Sequence, residues 1–495
     1  MSDKNLNDFF GEELEKQEEQ QKRQANAQAV GFGAANSDDD GRREMFINAG
    51  MYDSQQKYTS RKSKGKKAFL IAVGAVVLAV VFMLGYLTYS LANPDLMFIK
   101  NVLDLVNENA YIWDESEDKY QHDYAYQAAK AILESVDQYS TLLTPEECYQ
   151  LMNPQVSYEA SLGVGLSLGK DGYFLSEVKV GSPAYQAGYM MFDVINAVTV
   201  EGSVPEGLVS GTTYPVTVST DMDEFVKYMS AERVSLTVTR DGKSVVLPFI
   251  SKANYNSSEI EYYFGANFSN MSEPYKQRIN ASSLPNNVGY IRVTSFMNND
   301  VVEEMESAMR IFKTTGKTKL ILDLCGNTGG LDTAAEGVGS YLLYDKNNAS
   351  SDNIVMAVCR NNKDQVVSQM SCKSLYGDYF DKSSSKTQIV VLTDGYSASA
   401  SELLLGSLLD YGTAVQVGTT TYGKGIAQGV ILLKSAQANI DGQLVDSYWA
   451  AYMTYVKYYT PVSDFCPHGV GFTPSAQNTA DTYQQKMSRA VEILS

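Results

Sequence analysis

The pattern of apolar and polar positions changes character several times along the chain. Residues 1–60 are polar and repetitive. So few apolar positions bury too little surface to offset ordering entropy, which predicts a disordered tail. A basic cluster, Arg61 to Lys67, then gives way to a stretch with no charged residue from Ala68 to Pro94. Ala68 to Leu87 is mostly apolar on every face and matches the ~20 residues a helix needs to cross a bilayer. It starts too far into the chain for a cleaved signal peptide. These features predict a signal anchor at 68–91, with 1–67 cytoplasmic because the basic cluster precedes it, and everything after about residue 92 on the outer side.

Beyond the anchor the period is helical. Met97–Val106 and Tyr124–Val136 repeat apolar residues at three and four. Thr144-Pro145-Glu146-Glu147 is a helix start, with Thr as N-cap, Pro at the first position and acids on the positive end of the dipole. Between 158 and 252 the pattern turns to strands, Tyr173–Val178, Asp193–Val198 and Val234–Thr239, the last running into an Asp241-Gly242 hairpin signal. Ser203–Asp221 looks like an inserted loop. From 253 to 495 buried strands (Val288–Val293, Lys319–Leu324, Ile389–Leu392, Ala414–Val417) alternate with helical stretches at Asn299–Phe312 and from Glu402 to Gly412. The expected fold class is α+β and multidomain: an N-terminal transmembrane helix, a helical domain at 95–157, a β-rich domain at 158–252 and a β/α core at 253–495.

Composition narrows the function. At 495 residues with 44% hydrophobic content, most of the chain can bury a core. The formal net charge of −18 argues against nucleic acid as a partner, since phosphate binding needs a basic face. Cysteines 148, 325, 359, 372 and 466 lie far apart without metal spacing, and the only histidines are His122 and His468. No metal or cofactor is expected, and scarce histidine weakens any Ser-His-Asp arrangement. An outer location would allow a Cys359–Cys372 disulfide.

Candidate chemistry concentrates in Ile389–Gln428. A buried strand feeds a turn carrying Ser397, Ser399 and Ser401, then a helix, a second strand, and Lys424 between Gly423 and Gly425. A serine nucleophile and a lysine base can be assembled this way, the lysine made basic by burial that penalises its charge. Helix capping by the serines and a surface lysine is the alternative. Upstream, Cys325-Gly326-Asn327-Thr328-Gly329-Gly330 follows a strand and precedes a helix, a turn that can present free amides; it lacks the phosphate-loop pattern.

Two resemblances sharpen this. Leu162-Gly163-Val164-Gly165-Leu166, Gly181-Ser182-Pro183-Ala184 through Gly188, and Asp193-Val194-Ile195 resemble a PDZ domain. That resemblance implies that Leu162, Gly163, Val164, Gly165 and Leu166 hold a peptide's C-terminal carboxylate while the peptide adds as a strand. Phe192 departs from the glycine usual there. Val136–Thr141, Leu322–Gly330, Ser397–Glu402, Gly423–Gln428 and Gly471-Phe472-Thr473-Pro474 together resemble the C-terminal processing peptidases. This implies a crotonase-like core and a Ser-Lys dyad. Twenty-five residues separate nucleophile and base in that family, which selects Ser399 for Lys424, with Gln428 in support. Its oxyanion hole maps to the backbone amides of Gly326 and Ala400, and Cys325 stands where relatives usually have Arg. The implied function is a serine endopeptidase, anchored in a bacterial cell membrane with its peptidase domain extracytoplasmic, acting on proteins or peptides with accessible C-termini; a homodimer is compatible with it. The rival is an inactive, membrane-anchored peptide-binding scaffold.

Overall fold

A computed structural model describes Met83 and residues 93–109, 123–153, 161–440 and 442–495. Apart from Met83, the expected tail (1–67) and anchor (68–91) lie outside the described residues. Among those described, no helix is long and apolar enough to cross a membrane. Leu143–Ser495 forms one compact unit, and the described residues before it belong to another.

That other unit contains α1 (Pro94–Asn109) and α2 (Tyr124–Glu134). Asp123 caps α2 by accepting from the Tyr126 amide at 3.0 Å. Strand β1 (Thr141–Leu143) leads to α3 (Pro145–Met152). The start of α3 follows from Thr144-Pro145-Glu146-Glu147: Thr144 and Glu147 close a reciprocal capping box and Pro145 opens the helix.

Residues 164–251 build a seven-stranded sheet. Its elements are β2 (Val164–Gly169), β3 (Gly172–Val178), α4 (Pro183–Gln186), β4 (Val194–Glu201), β5 (Thr213–Pro215), α5 (Met222–Met229), β6 (Arg233–Arg240), β7 (Lys243–Val246) and β8 (Ile250–Ser251). The order is β2-β3-β4-β6-β7, with β5 added to β4 and β8 to β6. β2 is therefore an edge strand. The expected inserted loop, 203–221, contributes β5. Asp241 and Gly242 both take positive φ, the backbone a tight hairpin needs to match strand twist.

The core follows: β9 (Ile260–Tyr263), α6 (Glu273–Arg278), β10 (Val288–Val293), α7 (Asp300–Thr314), β11 (Lys319–Asp323), α8 (Asp332–Gly339), β12 (Asn353–Arg360), β13 (Val366–Lys373), β14 (Ile389–Thr393), α9 (Ala400–Asp410), β15 (Ala414–Gly418), β16 (Ile426–Ile440), β17 (Gln443–Tyr459) and α10 (Tyr483–Leu494). A five-stranded sheet runs β15-β14-β11-β10-β9, parallel except for β9. Its strands are mostly apolar because both faces are covered. Leu320, Leu322, Ile389 and Val391 pack with α7, α8 and α9. Ile321, Val390 and Leu392 point the other way, into a cluster shared with α10 and the seven-stranded sheet. The long β16–β17 hairpin joins β12 and β13 in a further sheet.

Where the two sheet regions meet, Arg292 and Glu261 form a buried ion pair at 2.7 Å. Removing one partner from such a pair strands the other charge. Arg292→Met is expected to lower stability by about 3–5 kcal/mol, and adding Glu261→Gln should restore part of it; thermal unfolding of the three variants checks this.

The expected Cys359–Cys372 disulfide does not form. Cys359 sits opposite Ser368 and Cys372 opposite Ile354 in the β12–β13 ladder, and all five cysteines are free.

Candidate active site

The three serines of the 397–401 turn are separated by what their hydroxyls touch. Ser397 is buried and donates to the Leu324 carbonyl at 2.8 Å. Ser401 is buried and donates to the Asn327 carbonyl at 2.8 Å. Both are used to fasten the turn after β11 to the turn after β14. Ser399, between them, is partly exposed and stands at the N-cap of α9. Its φ of 55° and ψ of −116° fall where non-glycine residues are rare. Such strain persists only where surroundings enforce it, and it accumulates at reactive positions.

The enforcing group is Glu402, fully buried in the first turn of α9. One carboxylate oxygen accepts from the Ser399 amide at 3.0 Å and the Lys424 amide at 2.7 Å. The other accepts from the Gly423 amide at 2.8 Å and the Thr421 hydroxyl at 2.5 Å. A buried carboxylate is tolerated when its acceptor sites are filled in this way. The Tyr458 hydroxyl lies 3.1 Å from the Ser399 carbonyl oxygen and 2.9 Å from that of Lys424. Two side chains from different elements thus hold the backbones of Ser399 and Lys424 together. The sequence reading gave Glu402 only a place at a helix start and missed Tyr458. The signal for Glu402 was an acid in an otherwise apolar helix.

Glycines 423 and 425 allow that segment to lie against the 467–471 turn. Gly423 has φ of 90°, and a Cβ at Gly425 would stand 2.6 Å from the His468 amide nitrogen. His468 itself is exposed. Gln428, in β16, faces Thr454 of β17 and donates to its hydroxyl at 2.9 Å.

The placement of the glycine-rich turn corrects one expectation. The Gly326 amide already donates to the Asp394 carboxylate at 3.0 Å, so it does not face Ser399 as a free donor. The other end of the turn does. A Cβ at Gly329 would stand 2.8 Å from Ser399 Cβ and 2.9 Å from the Ala400 amide nitrogen. Gly330 follows, with φ of 145° and its backbone against Phe296, and its amide has no protein acceptor among the described residues. Ala400 opens α9, where helix amides lack intrahelical acceptors.

Asp332, at the start of α8, is a second residue the sequence reading missed. Burial pushes its carboxyl up to about 6, opposed by the positive charge of Lys424. Its charge also reaches Tyr452, Tyr455 and Tyr458 on β17. Among the described residues, no group of side chains could hold a metal.

The Leu162–Leu166 segment lies far from this chemistry in sequence and differs in character. Leu162 is buried, Gly163 has φ of 77° with its Cβ position filled by Ser182, and Val164, Gly165 and Leu166 begin the edge strand β2.

Residues 287–477 match Peptidase family S41. A probable CtpA-like serine protease of Staphylococcus aureus (strain MRSA252) is 26% identical, over 90% of this chain and 79% of that protein. Another, from Staphylococcus saprophyticus, is 25% identical, over 70% of this chain and 59% of that one. The solved structure of a photosystem II D1 C-terminal processing protease aligns with a TM-score of 0.46 and 20% identity, over 80% of this chain and 96% of that one. The matched segment contains every residue of the clamp around Ser399, and the family match together with these relatives supports a serine-type peptidase.

Proposed function

We propose that the chain is a membrane-anchored endopeptidase in which Ser399 is the nucleophile and Lys424 the general base. The observation that carries this is the Glu402 and Tyr458 clamp, which fixes the backbones of both residues around the serine of the turn whose hydroxyl, unlike those of Ser397 and Ser401, does not donate to a scaffold carbonyl. Neutral Lys424 takes the hydroxyl proton as Ser399 Oγ adds to the scissile carbonyl. The Ala400 and Gly330 amides receive the developing oxyanion, a type of contact worth on the order of 10²–10³ in rate per donor. The lysine ammonium then protonates the leaving amine, and an acyl-serine ester remains. Lys424 next removes a proton from water; the hydroxide adds to the ester, and the departing Ser399 recovers its proton. Gln428, tethered to Thr454, supports the lysine without adding charge, which suits a base that must be neutral.

Substrates are proteins. Their selection by C-terminal tail is part of the proposal, on a PDZ-like module at 158–252. What supports it is the free edge of β2 beside the buried Gly163 turn, open to an added strand. Anchoring by 68–91, with 1–67 in the cytoplasm and the crotonase-like core outside a bacterial membrane, rests on the hydropathy and charge pattern alone.

The test is cleavage by the full chain of an unfolded protein with an apolar C-terminus, as free acid and as carboxamide. The free acid should be cut with the higher kcat/KM. Equal rates would remove tail selection; no cleavage of varied unfolded substrates would remove the dyad assignment.

Asp332 adds a pH prediction. Above about 6 its carboxylate is charged and favours the lysine ammonium, the inactive form of the base. Asp332→Asn should therefore move the rise of kcat/KM with pH to lower pH. The fold also keeps Asp332 protonated where an unfolded chain has lost that proton, from about 3.9 up to about 6. This term lowers stability as pH rises through that window, and the same variant should abolish it; pH–rate profiles and denaturant titrations at several pH values read both effects.

A further inference from the structure

Behind the turn of Asp394, Gly395 and Tyr396 lies a cavity of about 600 Å³ that the peptidase chemistry does not use. Its walls come from the Met190–Asp193 turn, from Arg278 and Arg292, from Cys325, and from the first turn of α10 with Lys486. Lys486 is only 4% exposed. Among the described residues its ammonium meets no carboxylate at ion-pair distance; its contact is the Cys325 thiol at 3.5 Å. An ammonium carries three donors, and one soft sulfur leaves most of that capacity unused. Arg278 also lacks a carboxylate partner among the described residues, and its guanidinium lies over the Tyr483 ring at 4.1 Å.

The other two cations around the cavity are paired. Arg240 pairs with Asp193 at 2.5 Å and Arg292 with Glu261 at 2.7 Å. Asp394 and Asp323 lie near enough to Lys486 to act on its charge, but neither comes within ion-pair distance, and both oxygens of Asp323 are engaged. One oxygen of Asp394 accepts from both the Gly326 and Tyr396 amides, at 3.0 and 2.9 Å. Asp323 accepts from the Tyr290 and Tyr483 hydroxyls and the Cys325 amide. Asp241 and Asp481 lie exposed at the rim. Two cations with no carboxylate at ion-pair distance among the described residues therefore face one volume, and the N-terminal end of α10 adds its positive dipole. The short side chain of Cys325 leaves the space open.

We propose that this cavity is an oxyanion-binding site in which a carboxylate or phosphate group is held between Lys486 and Arg278. A ligand there touches the turn that leads to Ser399. The inference stands apart from the dyad assignment, since it needs neither Ser399 nor Lys424 to react. The two sources of such a group are the free carboxylate of a short peptide and inorganic phosphate.

Calorimetric titration of the full chain with N-acetyl-dialanine, its carboxamide and inorganic phosphate, at constant ionic strength, separates them. The wild type should bind the acid, phosphate or both, and not the carboxamide. Lys486→Met and Arg278→Met should each weaken binding at least tenfold, while Lys486→Arg stays within a few-fold of wild type. Binding of the acid alone assigns the site to peptide carboxylates, and of phosphate alone to the free ion. The proposal is overturned if neither oxyanion binds, if the carboxamide binds as well as the acid, or if Arg278→Met binds as the wild type does. The last comparison holds even where Lys486→Met fails to fold.

Discussion

Ser399→Ala and Lys424→Ala should each reduce kcat on an unfolded protein substrate by on the order of 10⁴ or more, with the folded state intact. The reason is that neither residue has a substitute within the site. Ser397 and Ser401 cannot take over, because their hydroxyls are donors to the Leu324 and Asn327 carbonyls and are buried. Restoring a nucleophile from either would break a link between the two turns that define the site. The contacts that hold position 399 in the Ser399→Ala variant are backbone ones, its amide to Glu402 and its carbonyl to Tyr458 and the Leu403 amide. Thermal unfolding should therefore change little, and alanine at φ of 55° keeps the strain rather than adding to it. Full activity in Ser399→Ala would transfer the role to another residue.

Glu402→Gln should be nearly as damaging, and by a different route. The side chain keeps its size, but one of the two acceptor oxygens becomes an NH₂ group facing N–H and O–H donors. Either the Ser399 and Lys424 amides or the Gly423 amide and Thr421 hydroxyl then lose their acceptor. Leaving buried donors unmet costs about 1–3 kcal/mol each. Activity should fall by at least about 10², the scale expected when reacting groups shift by an ångström, and the melting temperature should fall with it. Because Glu402 does not touch the substrate, KM should change less than kcat. A variant with wild-type kcat would show that the clamp is not what positions the pair. Tyr458→Phe, which removes only the second tie, should give a smaller loss of the same kind.

Much of the fold was legible before any coordinates. The strands at 288–293, 319–323 and 389–393 are largely apolar runs because helices and the neighbouring sheet cover both faces, and such runs read directly as buried parallel strands. Thr144-Pro145-Glu146-Glu147 fixed a helix start because capping depends on residues three apart. The β16–β17 hairpin was not legible: it is half exposed, bulged and irregular in pattern, so no clean alternation marks it. The failed Cys359–Cys372 pairing has a similar origin, since strand register, not sequence separation, sets which residues lie opposite.

The sequence by itself determined the chemistry available: a serine turn, a lysine between glycines, and a glycine-rich turn before a helix, in an order that pointed to a peptidase. It did so because these local signals depend on neighbours a few residues apart. Only the tertiary structure decided what each member of those sets is bonded to. It tied Ser397 and Ser401 to the scaffold and left Ser399, and it turned Gly326 toward Asp394 and Gly329-Gly330 toward Ser399. It also brought Glu402 and Tyr458 onto the backbones of both Ser399 and Lys424. Apart from the local bond between Ser399 and Glu402, those outcomes depend on hydrogen bonds between groups 20 to more than 70 positions apart, and no local pattern encodes a partner at that distance.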